Sequence, residues 1–220
     1  MFDSLLNPDN PVMQFITKVT YCVYLNILWF LCCLPIVTAG ASTTALFYVT
    51  LKMVNNEEGH LTAAFFRSFK ENFKLATKVW LILLAGGIFL AVDGYVLYHM
   101  YLENAFWTVL SAIFLVVLAA YALILMYIFP LMARFDNTVF AMFKNSLFIG
   151  VRFLLCSFLM VLIYFVMLLI IVRFFTPIVI FGEGLCAYLC SYMLKNILLL
   201  CEGRKDSDDS MEESKEVEAL

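Results

Sequence analysis

The chain has 220 residues, of which 64% are hydrophobic and only 14% charged, with 22 Phe. Soluble domains carry roughly 25% charged residues, and a chain of this length has no interior large enough to hide so much apolar side chain. A water-soluble domain and a disordered chain are both excluded, and an integral membrane protein remains.

The net charge of −3 is unevenly placed. Residues 202–220 hold eight acids and three bases, net −5, and the rest of the chain holds nine acids and eleven bases, net +2. Nothing resembles the clustered basic face of a nucleic-acid binder. Residues 1–17 lack the basic region of a cleavable signal, so the first apolar run is expected to stay in place as a membrane helix after a cytoplasmic N-terminal segment. A spanning helix needs about 20 apolar residues, and the first such run covers 18–34, where Pro35 breaks it. The second, 36–54, begins with small and hydroxyl-bearing residues; it either spans or forms a re-entrant or interfacial piece. Asn55 to Gly59 reads as a polar turn.

From His60 to Lys78, Leu61, Phe65, Phe66, Phe69 and Phe73 recur near helical spacing, with Arg67, Lys70, Lys74 and Lys78 as the polar side. That is the pattern of an amphipathic helix lying at a lipid interface. Apolar runs follow at 79–100 and 105–131, the latter ending near Pro130. A second amphipathic piece covers 137–152, and further spans are expected at 153–172 and 177–200. The last segment, 202–220, is expected to be an acidic, disordered cytoplasmic tail. The fold class is therefore an all-α polytopic bundle: six spans plus two interfacial helices, with the transmembrane domain over 18–201.

With six crossings and the N-terminus inside, thirteen of the fourteen Lys and Arg fall on the cytoplasmic side and only Arg173 outside, as basic-residue asymmetry requires. Both termini are then cytoplasmic, in a bacterial cell membrane. A five-span arrangement with the second segment not crossing is less attractive, because of Lys18 and Lys52. Residues 65–80 and 139–154 also align, Phe66 with Phe140, Phe69 with Phe143, Lys70 with Lys144 and Lys78 with Arg152. Two related halves, or two amphipathic elbows of a common kind, explain this equally.

Signatures of hydrolase, kinase or metalloprotease chemistry are missing, and no cofactor is expected. The seven cysteines form no C-x-x-C pair and read as small apolar residues. The informative residues are the polar ones inside spans, where burial is costly. Asp93 and Glu183 are both expected in the outer half of the membrane, with Arg173 as a possible partner; they form either a shared polar cavity or two interfacial carboxylates. Asn26 lies mid-span. Thr38 and Ser42 sit in a stretch of small residues after Pro35, which suits tight helix packing or a polar pocket at a helix start.

The segments YLNILWFLCCLPIVTAGASTTALFYVTLKM and FFRSFKENFKLATKVWLILL resemble the YesL family of bacterial membrane proteins, a family of unknown function. Asn26 and Trp29 match its Asn-x-x-Trp, and Leu34, Pro35, Thr38 and Gly40 match its Leu-Pro-x-x-Thr-x-Gly. Phe65, Phe69, Lys70, Asn72 and Phe73 match its Phe-x-x-x-Phe-Lys-x-Asn-Phe. The resemblance covers roughly the first 85 residues. Where the family has a Gly-Pro step this chain has Ala39-Gly40-Ala41, which implies a looser turn. Family members are often encoded beside carbohydrate ABC importers and glycan-degrading enzymes. The resemblance therefore implies a non-enzymatic accessory role in carbohydrate uptake, with importer subunits as partners beside the lipid bilayer. The alternative is a small-solute transporter or channel in its own right.

Overall fold

In the computed structural model the described residues are 11–57, 59–100, 105–173 and 179–218. The first ten residues and Pro177, the expected start of the last span, lie outside them. The described chain is all-helical: α1 (Pro11–Cys33), a 3₁₀ turn (Ile36–Thr38), α2 (Ala39–Val54), α3 (Leu61–Met100), α4 (Ala105–Arg134), α5 (Val139–Arg152), α6 (Leu154–Arg173) and α7 (Val179–Glu218). Helices suit a chain surrounded by hydrocarbon, because every backbone N–H and C=O is then satisfied within its own segment.

Four of these helices are long and apolar enough to cross a membrane: Met13–Cys33, Leu61–His99, Phe106–Arg134 and Gly182–Glu202. A fifth crossing results if the bent pair Val139–Arg152 and Leu154–Ile170 is one span. Among the described residues the count by length and apolarity is thus four or five, short of the expected six, and the main reason is α2. At 16 residues it measures about 24 Å, short of the ~30 Å hydrocarbon core. Twelve of its residues are buried, from Gly40 and Ala41 to Met53 and Val54, against α1, α3, α4 and α7. It is the centre of the protein and has little surface left for lipid.

A helix so rich in Ser and Thr can be buried because its hydroxyls bond to its own backbone. Ser42 donates to Thr38 O at 3.0 Å, Thr43 to Ala39 O at 2.8 Å and Thr44 to Gly40 O at 2.9 Å. Each proton is thereby spent one turn back, and the remaining lone pairs serve neighbouring helices. Thr43 accepts from Trp29 Nε1 of α1 at 3.1 Å, and Thr50 pairs with Ser191 of α7 at 2.8 Å.

The turn between α1 and α2 is not loose. Thr38 Oγ1 lies 2.6 Å from Cys32 O and 2.7 Å from Pro35 O, sharing its proton between carbonyls that the end of α1 leaves open. Trp80 Nε1 donates to Ile36 O at 2.8 Å. Gly40 then brings α2 against α3: a Cβ there would lie 2.5 Å from Trp80 Cβ and 2.7 Å from Ala76 O. At the other end of α2, Asn56 takes a left-handed conformation (φ 56°), which Asn tolerates better than most residues. Its Oδ1 accepts from Lys18 Nζ of α1 at 2.8 Å.

α3 corrects a second expectation. The amphipathic stretch and the following span are one continuous helix of 40 residues, about 60 Å long, because no Pro or Gly interrupts 61–85. Its first half buries Phe65, Ser68, Ala76 and Val79 and packs on α2. Its second half packs on α4: Tyr121 Oη donates to Leu83 O at 2.8 Å, and Gly94 faces Phe114.

α5 and α6 differ. They meet at Phe153 (φ −111°, ψ 50°) with a 97° bend. Ser157 fixes the corner by donating to Gly150 O at 2.9 Å and pairing with Tyr127 of α4 at 2.9 Å. The two aligned blocks, 65–80 and 139–154, thus adopt different local structures.

α4 continues through Pro130 to Arg134, three residues beyond the expected run, in a stretch where Tyr127 to Ala133 are buried. α7 continues to Glu218, so the backbone of 203–218 is helical where composition pointed to a disordered tail. Extending an existing helix needs no new nucleus, which is what a solvated acidic segment lacks on its own. Arg134 grips Glu202 with two bonds of 2.9 Å, tying the end of α4 to the middle of α7.

Candidate functional site

Of the polar residues singled out in the sequence, Asn26 and Glu183 lie at one seam of α1, α6 and α7, Thr38 and Ser42 lie at the start of α2, and Asp93 and Arg173 are outliers. Asn26 is fully buried on α1, and its Oδ1 accepts the backbone N–H of Gly184 on α7 at 3.1 Å. The approach is close because Gly184 has no side chain: a Cβ there would collide with the Cys22 carbonyl oxygen and sit 3.2 Å from Asn26 Cβ. Glu183, the next residue, is half-buried. Tyr164 Oη of α6 donates to Glu183 Oε1 at 3.4 Å, long for an O–H···O bond. Ser42 and Thr38 bond within the α1–α2 turn, to Thr38 O and to Cys32 O and Pro35 O, Ser42 fully buried and Thr38 half-buried.

The two outliers are Asp93 and Arg173. Asp93 is half-buried on the part of α3 that packs along α4. Arg173 is exposed at the end of α6. Among the described residues neither is joined to Glu183 by a hydrogen bond or ion pair. The seam therefore centres on α1, α6 and α7 rather than on a pair of outer carboxylates.

Sequence reasoning passed over Tyr164, Tyr127, Thr50 and Ser191. Their signal was available: aromatic or hydroxyl side chains inside apolar runs need a partner when buried. Chemically the seam is a set of interhelical ties, with one carboxylate only weakly held. All seven cysteines are free, and no cluster of three or more metal-ligating side chains occurs among the described residues.

A second feature is an open groove of about 760 Å³ between α1 and the start of α3, lined by Thr20, Tyr21, Tyr24, His60, Thr62 and Phe66. Tyr24 Oη and Thr62 Oγ1 meet across it at 2.7 Å. His60 faces hydroxyl and aromatic groups there.

Residues 22–94, a third of the chain, match a family model described as "Protein of unknown function, DUF624", over the same segment that carries the resemblance to the YesL family. The matched segment carries most of α1, all of α2 and most of α3, and so includes Asn26, Trp29, Thr38, Gly40 and Trp80; Glu183, Gly184 and Tyr164 lie outside it. No curated protein and no solved structure matches the chain.

Proposed function

We propose that this polytopic membrane protein is a non-enzymatic accessory component of a membrane assembly, linked to carbohydrate uptake through an ABC-type importer. The observation that carries the accessory reading is the hairpin of α3 and α4. Over its most apolar stretch α4 has no residue buried within its own chain, and Val109, Ile113, Leu115 and Val116 are each more than half exposed. Such a hairpin offers lipid or a partner's helices a long apolar surface. Asn26, Thr50 and Tyr127 meanwhile are engaged in bonds between helices. The link to carbohydrate import rests on the family resemblance alone.

The test is purification from native membranes in mild detergent. Importer subunits should be retained by the wild-type chain and lost from V109A/I113A/V116A, with an unchanged unfolding midpoint. Absence of importer subunits from the wild-type preparation sinks the accessory reading. The small-solute transporter or channel reading draws on Glu183, a carboxylate on a membrane helix held by a single long bond from Tyr164. It predicts solute flux in liposomes containing only this protein, abolished in Glu183→Gln.

The proposal includes a cell-membrane location with both termini in the cytoplasm, α2 returning the chain to the side on which α1 begins, a course supported by the bond of Lys18 near the start of α1 to Asn56 at the end of α2. Membrane-impermeant thiol labelling in a cysteine-free background should reach Asn55→Cys and Asp209→Cys from the cytoplasmic side only. Labelling of either from outside overturns that orientation.

A further inference from the structure

The continuity of α3 places two kinds of surface on one helix face. Arg67, Lys70, Lys74 and Lys78 follow one another at helical spacing on the side of α3 turned away from its buried Phe65, Ala76 and Val79. The same stripe then continues as Leu81, Ala85, Ile88 and Val92. At 3.6 residues per turn these eight positions lie one above another on a single face. A face that changes from purely cationic to purely apolar within one turn marks where the helix passes from the headgroup layer into hydrocarbon.

The step falls between Lys78 and Leu81. Lys74 lies about 6 Å below Lys78 along the helix, so both fit within a headgroup layer of roughly 5–8 Å. Lys70 and Arg67 extend further, toward water. Glu71 is paired with Arg67 at 2.9 Å, whereas Lys70, Lys74 and Lys78 make no ion pair among the described residues. Exposed Phe66 and Phe73 flank the cations on the same half of the helix. α5 repeats the combination. It buries Met142, Ser146 and Ile149 and exposes Phe140, Phe148, Lys144 and Arg152, at 97° to α6.

We propose that the Lys70–Lys74–Lys78 stripe is a binding surface for anionic phospholipid headgroups, of the phosphatidylglycerol type, whose acyl chains lie along Leu81, Ile88 and Val92. Three uncompensated ammonium groups match the negative charge of the headgroup phosphates, and the apolar continuation matches the chains. A lipid meets both requirements at once, whereas a free anion meets only the first.

The full chain in neutral detergent is titrated with phosphatidylglycerol, phosphatidylcholine or glycerol phosphate, and retained lipid is counted by native mass spectrometry. Wild type should retain phosphatidylglycerol and show a raised unfolding midpoint, with phosphatidylcholine and glycerol phosphate giving neither. Each basic side chain near an anionic surface contributes roughly a fivefold factor in binding, so K70Q/K74Q/K78Q should weaken phosphatidylglycerol binding on the order of a hundredfold. Equal retention of the two lipids, full retention by the triple variant, or an equal midpoint shift from glycerol phosphate overturns the proposal. Should the variant lose stability in detergent alone, salt decides on the wild type. Phosphatidylglycerol retention must fall as salt rises from about 0.05 M to about 0.5 M, and retention insensitive to salt overturns the proposal equally.

Discussion

Gly40→Leu is expected to destabilise the protein by about 3 kcal/mol, the upper end of the usual range for overpacking. The reason is the identity of the atoms in the way. A Cβ at Gly40 meets Trp80 Cβ at 2.5 Å and Ala76 O at 2.7 Å. Neither is the free end of a flexible side chain, so α2 must move away from α3 as a body. That movement would also pull on the Trp80–Ile36 bond. Gly40→Ala should act in the same direction with a smaller effect. Gly59→Ala is the control, because nothing lies within 4 Å of its Cβ position. Thermal unfolding in detergent reads all three, and a Gly40→Leu midpoint equal to wild type would show that α2 and α3 are not in contact there.

Gly184→Val is expected to separate α1 from α7, at a cost of about 2–3 kcal/mol. Its Cβ would collide with the backbone carbonyl of Cys22, and the displacement would break the bond from Gly184 N–H to Asn26 Oδ1. Asn26→Ala removes the same bond without overpacking. Interhelical polar contacts in membrane proteins average about 0.6 kcal/mol and reach about 1.7, so Asn26→Ala should cost less than Gly184→Val. The two changes share one contact, and the double variant should fall short of their sum. Strict additivity in a double-mutant cycle would mean that Asn26 and Gly184 do not act through each other.

Asn26 and Glu183 show how far the site was legible. Each stood out as a polar group in an apolar run, and the cost of burying such groups makes that signal dependable. Their partners did not stand out, because a partner is defined by which helices meet. Asn26 bonds across 158 positions to a backbone N–H, a group present at every residue except proline. Asp93 carried the same sequence signal as Glu183, yet it lies on the α3–α4 hairpin with no bond to the seam. Asn26, Thr38 and Gly40 each join a sequence motif to a visible structural role. The first is an interhelical acceptor, the second staples a turn, and the third is a point of close approach.

What the sequence by itself determined is the solvent and, through it, the helix. Apolar runs of this length and a scarcity of charge place the chain in hydrocarbon, and hydrocarbon leaves the backbone no better choice than helices. Tertiary structure decided which apolar segments face lipid and which face protein. Lipid tails and a protein interior are equally apolar, so hydropathy cannot separate an exposed span such as α4 from a central helix such as α2. Tertiary structure also decided where helices run on and where they bend. The similar blocks 65–80 and 139–154 become part of one continuous helix and a 97° corner. The second is held by Tyr127, Ser157 and the Gly150 carbonyl, and the first lies along α2 through Gly40 and Trp80. Those contacts join residues far apart in the chain, and local pattern carries no information about them.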